Sequence, residues 1–189
     1  MRQIKIAEHI SLDGFIRPTG LDENSEYAHG GWTAPYRTPE GAVATAAAYG
    51  KGYDLLLGRR TYDLWSGFWP KMQGGPFADG LNAATKYVAT HRPQGLAWGP
   101  VGYLGADVLA GIRRLKAQDG PDLLVCGSAT LTTLLLEQGL VDEVMLAVYP
   151  LLLGRGKRCF PDNMDPRKLN LVGTQSTPSG VLLNTYKVV

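Results

Sequence analysis

Two short apolar segments of the chain each end in a glycine at the start of a helical segment. Residues 54–57 lead into Gly58, Arg59, Arg60 and Thr61, and residues 122–126 lead into Gly127, Ser128, Ala129 and Thr130. The first N–H groups of a helix lack internal partners, and the helix dipole adds roughly half a positive charge there. Glycine also allows a phosphate to approach the backbone closely, so both junctions predict phosphate binding.

The two junctions differ in charge. Arg59 and Arg60 can pair with a phosphate dianion through two hydrogen bonds each, whereas the second junction offers backbone N–H groups and hydroxyls. This combination suits a dinucleotide that carries both a phosphate monoester and a pyrophosphate. Taken singly, each junction is better explained as a tight turn with solvated arginines, but the presence of both favours a ligand. The chain contains neither GxGxxG nor GxxxxGK[ST], so no Rossmann or P-loop motif contributes.

Strand and helix patterns alternate along the chain and predict an α/β fold. The strands are expected at 5–10, 54–58, 86–90, 122–126 and 142–150, and the helices at 40–51, 59–65, 104–118 and about 129–139. Residues 17–40 predict a long loop, and 169–175 with 181–188 predict a closing hairpin. We therefore expect a central, mainly parallel sheet flanked by helices, with a C-terminal antiparallel hairpin.

Composition narrows the class of protein. The 189 residues fit a single domain over 1–189, and the net charge of only +2 argues against a nucleic-acid partner. Cys126 and Cys159 lie far apart, and the histidines show no ligand spacing, so we expect no metal site. The chain has neither an apolar run long enough to span a membrane nor a signal-peptide pattern at its start. These features predict a cytoplasmic protein with no membrane partner.

Several motifs resemble known reductases. Gly58-Arg59-Arg60-Thr61 resembles the G-R-x-T phosphate motif of dihydrofolate reductases, and residues 125–129 stand where that fold carries a Gly-Gly segment. Residues 11–14, Ser-Leu-Asp-Gly, resemble the S-L-D-G of the reductase domain of riboflavin biosynthesis, as do 139–143 and 150–160. The similarity covers nearly the whole chain. The sequence is thus similar to stand-alone RibD C-terminal domain proteins of the dihydrofolate reductase-like superfamily.

This resemblance implies NADPH as the cofactor. Arg59 and Arg60 would bind its 2′-phosphate, Thr61 and the turn from Gly127 to Leu131 its pyrophosphate, and Ala7 and Ile16 would flank the nicotinamide. Thr90, His91 and Arg92 would lie near the adenosine, although a polar strand exit explains them equally well. The implied cofactor-binding set is Ala7, Ile16, Gly58, Arg59, Arg60, Thr61, Thr90, His91, Arg92, Cys126, Gly127, Ser128, Ala129, Thr130 and Leu131.

The substrate side departs from both relatives. Riboflavin-pathway reductases carry a glutamate at the position of Cys126, and dihydrofolate reductases carry an acid on the helix for which residues 40–51 offer only Glu40. Asp13 is the predicted proton donor or substrate anchor, or else only shapes its turn. Trp32, Trp65 and Tyr149 are predicted to bind a planar substrate by stacking, or else belong to the core.

Two residues of the first strand add a further possibility. Glu8 and His9 are adjacent on that strand and face opposite sides, so one of them could enter the pocket. A lone histidine on a strand is more often structural.

The predicted function is an NADPH-dependent reductase that transfers a hydride to a small heterocyclic substrate, of pterin or aminopyrimidine type, or to a carbonyl. The alternative is a non-catalytic NADP(H)- or nucleotide-binding module on the same fold, because fold alone does not separate the two. A transferase with another phosphorylated ligand is a weaker possibility. Related domains imply a homodimer, for which leucine-rich residues 131–153 could form an interface or equally the core.

Overall fold

A computed structural model describes residues 1–18, 31–72 and 74–189 of the protein, and its main feature is an eight-stranded sheet. The strands are β1 (Ile4–Ser11), β2 (Phe15–Pro18), β3 (Tyr53–Gly58), β4 (Lys86–Ala89), β5 (Val101–Gly102), β6 (Asp122–Cys126), β7 (Glu143–Tyr149), β8 (Gly156–Arg158), β9 (Leu169–Ser176) and β10 (Leu182–Val188). The helices are α1 (Pro39–Tyr49), α2 (Arg59–Ser66), α3 (Pro76–Ala83), α4 (Val108–Ala117) and α5 (Ala129–Glu137).

The large sheet has the order β5-β4-β3-β6-β1-β7-β10-β9. Every pair from β5 to β7 is parallel, and β10 pairs antiparallel with both β7 and β9. This arrangement confirms the predicted α/β fold with a mainly parallel sheet and a C-terminal hairpin. β2 and β8 form a separate antiparallel pair.

The helices cover the two faces of the sheet in separate groups. Tyr49 of α1, Tyr62 of α2 and Leu81 of α3 are buried in one apolar cluster with Leu55 and Leu57 of β3. The opposite cluster, on the other face, holds Ile4, Ile6 and Leu56 with buried residues of α4 and α5. No helix in the part of the chain that the structure describes is long and apolar enough to cross a membrane.

The leucines of α5 belong to this second core cluster. Leu131, Leu135 and Leu136 are all nearly inaccessible to solvent. Of the two readings of the leucine-rich segment, core packing is therefore the correct one for these three residues. They are not available for an interface between copies of the chain.

Local sequence explains where the helices begin. Pro39 occupies the first turn of α1, and the Thr38 hydroxyl accepts the backbone N–H of Gly41 at 2.9 Å. α4 begins at Val108 and not near residue 104, because the Asp107 carboxylate caps it by accepting the N–H of Ala110 at 2.9 Å. The capping residue Asp107 thus sets the start of α4, although the helical spacing of apolar residues continues back to residue 104.

Some elements were not predicted. α3 contains Gly80, a weak helix former, and a Cβ at this position would lie 3.4 Å from the Tyr53 hydroxyl. β5 is only two residues long, and β8 begins at Gly156. Residues 17–40, predicted as a loop, include the end of β2, a 3₁₀ turn at Ala34–Tyr36 and the start of α1, while 19–30 lie outside the described residues.

The most consequential feature of the sheet is that β1 extends beyond β6. The pairing of β1 with β6 ends at Ala7 and Cys126, whereas its pairing with β7 continues to Ser11 and Tyr149. No described strand therefore neighbours residues 8–11 on the β6 side. β6 leads into α5 on one face of the sheet, while β1 leads toward α1 on the other, and such a reversal at the carboxyl edge is where open α/β sheets bind ligands.

Candidate functional site

A cavity of about 1630 Å³ opens at the carboxyl edge beside β6. The ends of β1, β3, β6 and β7 and the first turns of α2 and α5 line it. It brings together nearly all of the predicted site residues, namely Ala7, Ile16, Trp32, Gly58, Arg59, Arg60, Thr61, Trp65, Thr90, His91, Cys126, Gly127, Ser128, Ala129, Thr130, Leu131 and Tyr149. Asp13 and Arg92 do not line this cavity.

The two strand-to-helix junctions are hydrogen-bonded to each other. The backbone N–H of Gly58 donates to the Ser128 hydroxyl at 2.9 Å, and that hydroxyl donates to the Thr61 hydroxyl oxygen, also at 2.9 Å. The backbone N–H of Ser128 donates to the same Thr61 oxygen at 3.1 Å. The N-termini of α2 and α5 are thereby fixed side by side. This is the arrangement that the predicted binding of a dinucleotide at both junctions needs.

The turn before α5 has an unusual backbone. Gly127 has φ 61° and Ser128 has φ 51°, a left-handed conformation that a serine adopts at an energetic cost. A Cβ at Gly127 would lie only 3.1 Å from the Thr61 hydroxyl oxygen. Glycine is therefore required at 127 both by its dihedral angle and by the close approach of α2.

The arginines at the start of α2 have different surroundings. Arg59 is half-buried, and its Nε donates to the Asp63 carboxylate at 2.8 and 3.0 Å. Its Nη1 donates to the backbone carbonyls of Arg92 and Gln94. Arg60 is exposed and makes no hydrogen bond or ion pair with any residue that the structure describes. Arg60 is thus the guanidinium whose donors are free for a ligand.

A small depression of about 550 Å³ adjoins the main cavity at these arginines. It is lined by Arg59, Arg60, Asp63, Leu64 and Arg92, so the predicted Arg92 lies here and not in the main cavity. The Thr90 hydroxyl accepts the N–H of Arg92 at 3.0 Å, which is the geometry of a polar turn at a strand exit. The three arginines give this end of the site a local positive charge.

Of the two roles predicted for Asp13, its contacts favour that of shaping its turn. Its carboxylate accepts the Ser11 hydroxyl at 2.5 Å and the backbone N–H groups of Leu153 and Gly154 at 3.1 and 2.7 Å. These hydrogen bonds, led by that from Ser11, lower the pKa of Asp13 to about 2. A carboxyl that is ionised near neutral pH and lies outside the cavity lining is poorly placed to donate a proton, whereas its hydrogen bonds connect the turn to residues 153–154.

His9 lies between two tyrosines on the cavity wall. Its Nδ1 is 2.7 Å from the Tyr149 hydroxyl, and its Nε2 is 3.2 Å from the Tyr49 hydroxyl. Burial, together with the charge of Arg37, lowers the pKa of His9 to about 4, so the imidazole is neutral near pH 7. Both ring nitrogens are engaged, which fixes the orientation of the ring.

Aromatic rings form two walls that meet at Tyr49. Trp32 and Tyr36 both meet the Tyr149 ring edge-to-face, at centroid distances of 5.0 and 5.5 Å. On the other side, Phe77 lies between Tyr49 and Trp69 at 5.3 and 5.5 Å, and Trp65 packs on Trp69 at 5.8 Å. The predicted residues Trp32, Trp65 and Tyr149 are therefore all on these walls.

A buried acid lies at the innermost part of the site. Glu8 is 3% exposed, and its Oε1 has no hydrogen-bond partner among the described residues. Burial raises the pKa of Glu8 well above its usual value, opposed only by the backbone N–H of Gly127. Burial also raises the pKa of the nearby Cys126 thiol, with the charge of Glu8 adding to the effect, so this cysteine is not an activated nucleophile.

The sequence left Glu8 and His9 as alternatives, but both line the cavity. The available signal was an acidic residue near the carboxyl end of the first predicted strand. Tyr36, Arg37 and Tyr49 were not predicted, since nothing local marks them. Among residues 1–18, 31–72 and 74–189, no group of three or more His, Cys, Asp or Glu side chains could hold a metal ion.

Comparison with known protein families places the site in context. Residues 2–183 match the model of the RibD C-terminal domain. The uncharacterized Bacillus subtilis protein YyaP is 32% identical over 136 residues, which cover 70% of this chain and 72% of YyaP. The uncharacterized B. subtilis protein YwjB is 27% identical over 180 residues, covering 93% of this chain and 92% of YwjB.

Two solved structures share the fold over the whole of this chain. A protein from Shewanella sp. PV-4, provisionally assigned to riboflavin biosynthesis, has a TM-score of 0.71 at 20% identity and is covered over 99% of its length. A pyrimidine reductase-like protein from Corynebacterium diphtheriae has a TM-score of 0.67 at 15% identity and is covered over 92%. At these identities the likeness shows the fold, which is that of RibD-like reductases.

Proposed function

The chain belongs to the RibD C-terminal domain family, and from that premise we propose that it is an NADPH-dependent reductase of a small heterocyclic or carbonyl compound. The observation that carries the proposal is the hydrogen-bonded contact of Gly58 and Thr61 with Ser128. It places two helix N-termini on one cavity next to a depression lined by three arginines. A phosphorylated dinucleotide needs this combination of donors.

The residues present fit the cofactor. The N–H groups of the first turns of α2 and α5, with the hydroxyl of Thr130, would bind the pyrophosphate. Arg60, supported by Arg59 and Arg92, would bind the 2′-phosphate that distinguishes NADPH from NADH. Ala7, Ile16 and the turn at Cys126 and Gly127 would contact the nicotinamide, which supplies a hydride when bound.

The substrate side suits a planar, uncharged ring. The walls around Tyr49 and Tyr149 provide aromatic faces, and the neutral His9 with its two phenols provides hydrogen-bonding groups at fixed positions. Trp32 closes one end of this wall and Trp65 the other. A pterin, an aminopyrimidine or a conjugated carbonyl compound would match these surfaces.

Cofactor binding is tested by titrating the protein with NADPH, NADH and ADP while monitoring tryptophan fluorescence. We expect NADPH to bind at least about tenfold more tightly than NADH, because a charge-assisted phosphate contact contributes on the order of 1.5–3 kcal/mol. Equal affinities for all three ligands would contradict the 2′-phosphate site and favour the transferase alternative.

Turnover separates the reductase from a binding module. NADPH oxidation is followed by its absorbance with a dihydropterin, an aminopyrimidinone and a quinone as acceptors. Steady oxidation with any of them supports the reductase. Tight NADPH binding without oxidation across a broad set of such acceptors would instead identify a non-catalytic NADP(H)-binding module.

A further inference from the structure

Glu8 stands at a position where a structural role is hard to find. It is the first residue of β1 beyond the end of its pairing with β6, so no described strand pairs with its backbone on that side. It lines the cavity, is 3% exposed, and has one carboxyl oxygen without a partner in the part of the chain that the structure describes. Buried polar atoms are nearly always hydrogen-bonded, so an unpaired one in a binding cavity points to a ligand.

The surroundings of Glu8 do not stabilise a negative charge. Three titratable groups interact electrostatically with Glu8, namely the thiols of Cys126 and Cys159 and the phenol of Tyr49, and the backbone N–H of Gly127 donates a hydrogen bond to it. Burial raises the pKa of both thiols and of the phenol, so all three are neutral near pH 7. The N–H of Gly127 is therefore the only donor in this set that favours the carboxylate, whereas burial favours the uncharged carboxylic acid.

The other candidate groups cannot donate a proton as readily. Both nitrogens of His9 are within hydrogen-bonding distance of tyrosine hydroxyls, and its imidazole is neutral. Asp13 is ionised and lies outside the cavity lining. Glu137 lines the cavity but is exposed on the last turn of α5, away from β1.

We propose that Glu8 is the general acid of this pocket and protonates the substrate atom that becomes negative when the hydride arrives. This inference rests on the proposed function. The carbon of a C=N or C=O bond accepts the hydride from the reduced nicotinamide, and the π electrons of that bond move to the nitrogen or oxygen. The Glu8 O–H bond breaks, its proton joins that heteroatom, and the carboxylate is reprotonated from water. The net reaction consumes one NADPH and one proton for each bond reduced.

The first test measures the protonation of Glu8 without any turnover. Glu8→Gln and Glu8→Met remove the titrating group, and Glu137→Gln is the matched control on the same cavity. In infrared spectra near pH 7, we expect wild type and Glu137→Gln to show a carboxylic-acid carbonyl band that Glu8→Gln lacks. If wild type and Glu8→Gln show the same carbonyl bands, Glu8 is ionised and the inference is wrong.

The pH dependence of unfolding tests the protonation of Glu8 independently. If Glu8 keeps its proton in the native state while the unfolded chain releases it, the free energy of unfolding of wild type falls as pH rises above about 4.5. We therefore expect the urea midpoint of Glu8→Gln relative to wild type to increase between about pH 5 and pH 8. Glu8→Met loses the hydrogen bond from the Gly127 N–H at every pH, so its midpoint relative to wild type should rise over the same pH range. A pH-independent difference for Glu8→Gln would contradict the inference.

The kinetic test uses NADPH with whichever dihydropterin, aminopyrimidinone or quinone acceptor wild type reduces. Glu8→Gln should lower kcat by about 100-fold or more, which is the usual contribution of a positioned acid, and leave the Kd of NADPH within about twofold. Wild-type kcat should fall at alkaline pH as the acid ionises, and Glu8→Gln should lose that dependence. Unchanged kcat in Glu8→Gln would overturn the assignment.

Two further outcomes separate the hypotheses. If Glu8→Gln weakens NADPH binding without changing kcat, the carboxyl holds the nicotinamide amide and is not the acid. If the infrared band is present but no acceptor is reduced by wild type, the proposed reductase function itself fails. The proton-donor role then fails with it, although a neutral Glu8 has been demonstrated.

Discussion

The hydroxyl groups of Ser128 and Thr61 lie 2.9 Å apart and tie the first turn of α2 to the turn that begins α5. The residues are 67 positions apart in the sequence, and each belongs to a different strand-to-helix junction. Because Thr61 also accepts the backbone N–H of Ser128, one side chain supports both the left-handed backbone of Ser128 and the spacing of the two helix ends.

A double-mutant cycle should reveal this coupling. Thr61→Val and Ser128→Ala each remove a hydrogen-bonding hydroxyl while keeping a Cβ, and each should lower the free energy of unfolding by about 1 kcal/mol. Because the two hydroxyls share a bond, the double variant should lose less than the sum, with a coupling of about 0.5–1.5 kcal/mol. Urea unfolding measures all four proteins. Strict additivity would show that the helix ends are not energetically linked.

Cofactor preference should depend on Arg60 more than on any other arginine. Arg60→Ala should weaken NADPH binding by about 10- to 100-fold and leave NADH nearly unchanged, since only NADPH carries the 2′-phosphate. Arg59→Ala should also weaken NADPH more than NADH, and it should lower the thermal midpoint because its bonds to Asp63 and the 92–94 carbonyls are lost. Fluorescence titration with Arg113→Ala as a distant control provides the measurement.

Asp13→Asn should affect stability but not cofactor affinity. The native pKa of about 2 lies below the usual value of 3.8, so the ionised carboxylate stabilises the fold above pH 3.8, and this stabilisation is lost as pH falls toward 2. Asp13→Asn should therefore lower the thermal midpoint by a few degrees near neutral pH and converge with wild type in acid. Asp165→Asn is the exposed control. A normal midpoint with abolished turnover would restore the catalytic role of Asp13.

His9 should make the protein sensitive to mild acid. Its native pKa of about 4 lies below the usual 6.5, so the unfolded chain binds a proton between these values that the native state does not. Stability from this residue is complete above pH 6.5 and falls as pH decreases toward 4, by up to about 3 kcal/mol. His9→Asn should remove that dependence, whereas His91→Asn, an exposed histidine near the cavity, should retain it. Unfolding free energies at several pH values decide the point.

The free edge of β9 is the surface on which we propose that two copies associate. No described strand pairs with its outer side, and Leu171 and Val172 are 56% and 53% exposed. An edge strand of 8 residues presents a row of unpaired backbone groups that can pair with another chain. We expect sedimentation to show a dimer that Leu171→Glu dissociates, while Val43→Glu on α1 does not. A monomeric wild type would exclude this association.

The two strand-glycine-helix junctions could be predicted because every signal is local. An apolar strand, a glycine and a polar helix start follow one another within a few residues at Gly58 and again at Gly127. The parallel order of the strands also follows from their alternation with helices. The roles of the junction residues in binding NADPH remain predictions.

The substrate side could not be predicted in the same way, since it depends on contacts between distant segments. His9 contacts Tyr149 and Tyr49, which lie 140 and 40 residues away in the sequence. No periodicity of apolar residues predicts either contact. Asp13 illustrates a different limit. The sequence leaves a chemical role and a turn-shaping role open for it, and the contact that favours the second joins its carboxylate to a backbone group 140 residues later.

The extension of β1 beyond β6 has a consequence for which substitutions the pocket can tolerate. The pocket lies where one strand is shorter than its neighbour, so its position is set by the backbone, while the side chains that line it set its shape. Replacing a residue on its wall can therefore change the shape of the pocket while the sheet underneath and the hydrogen-bonded N-termini of α2 and α5 stay in place.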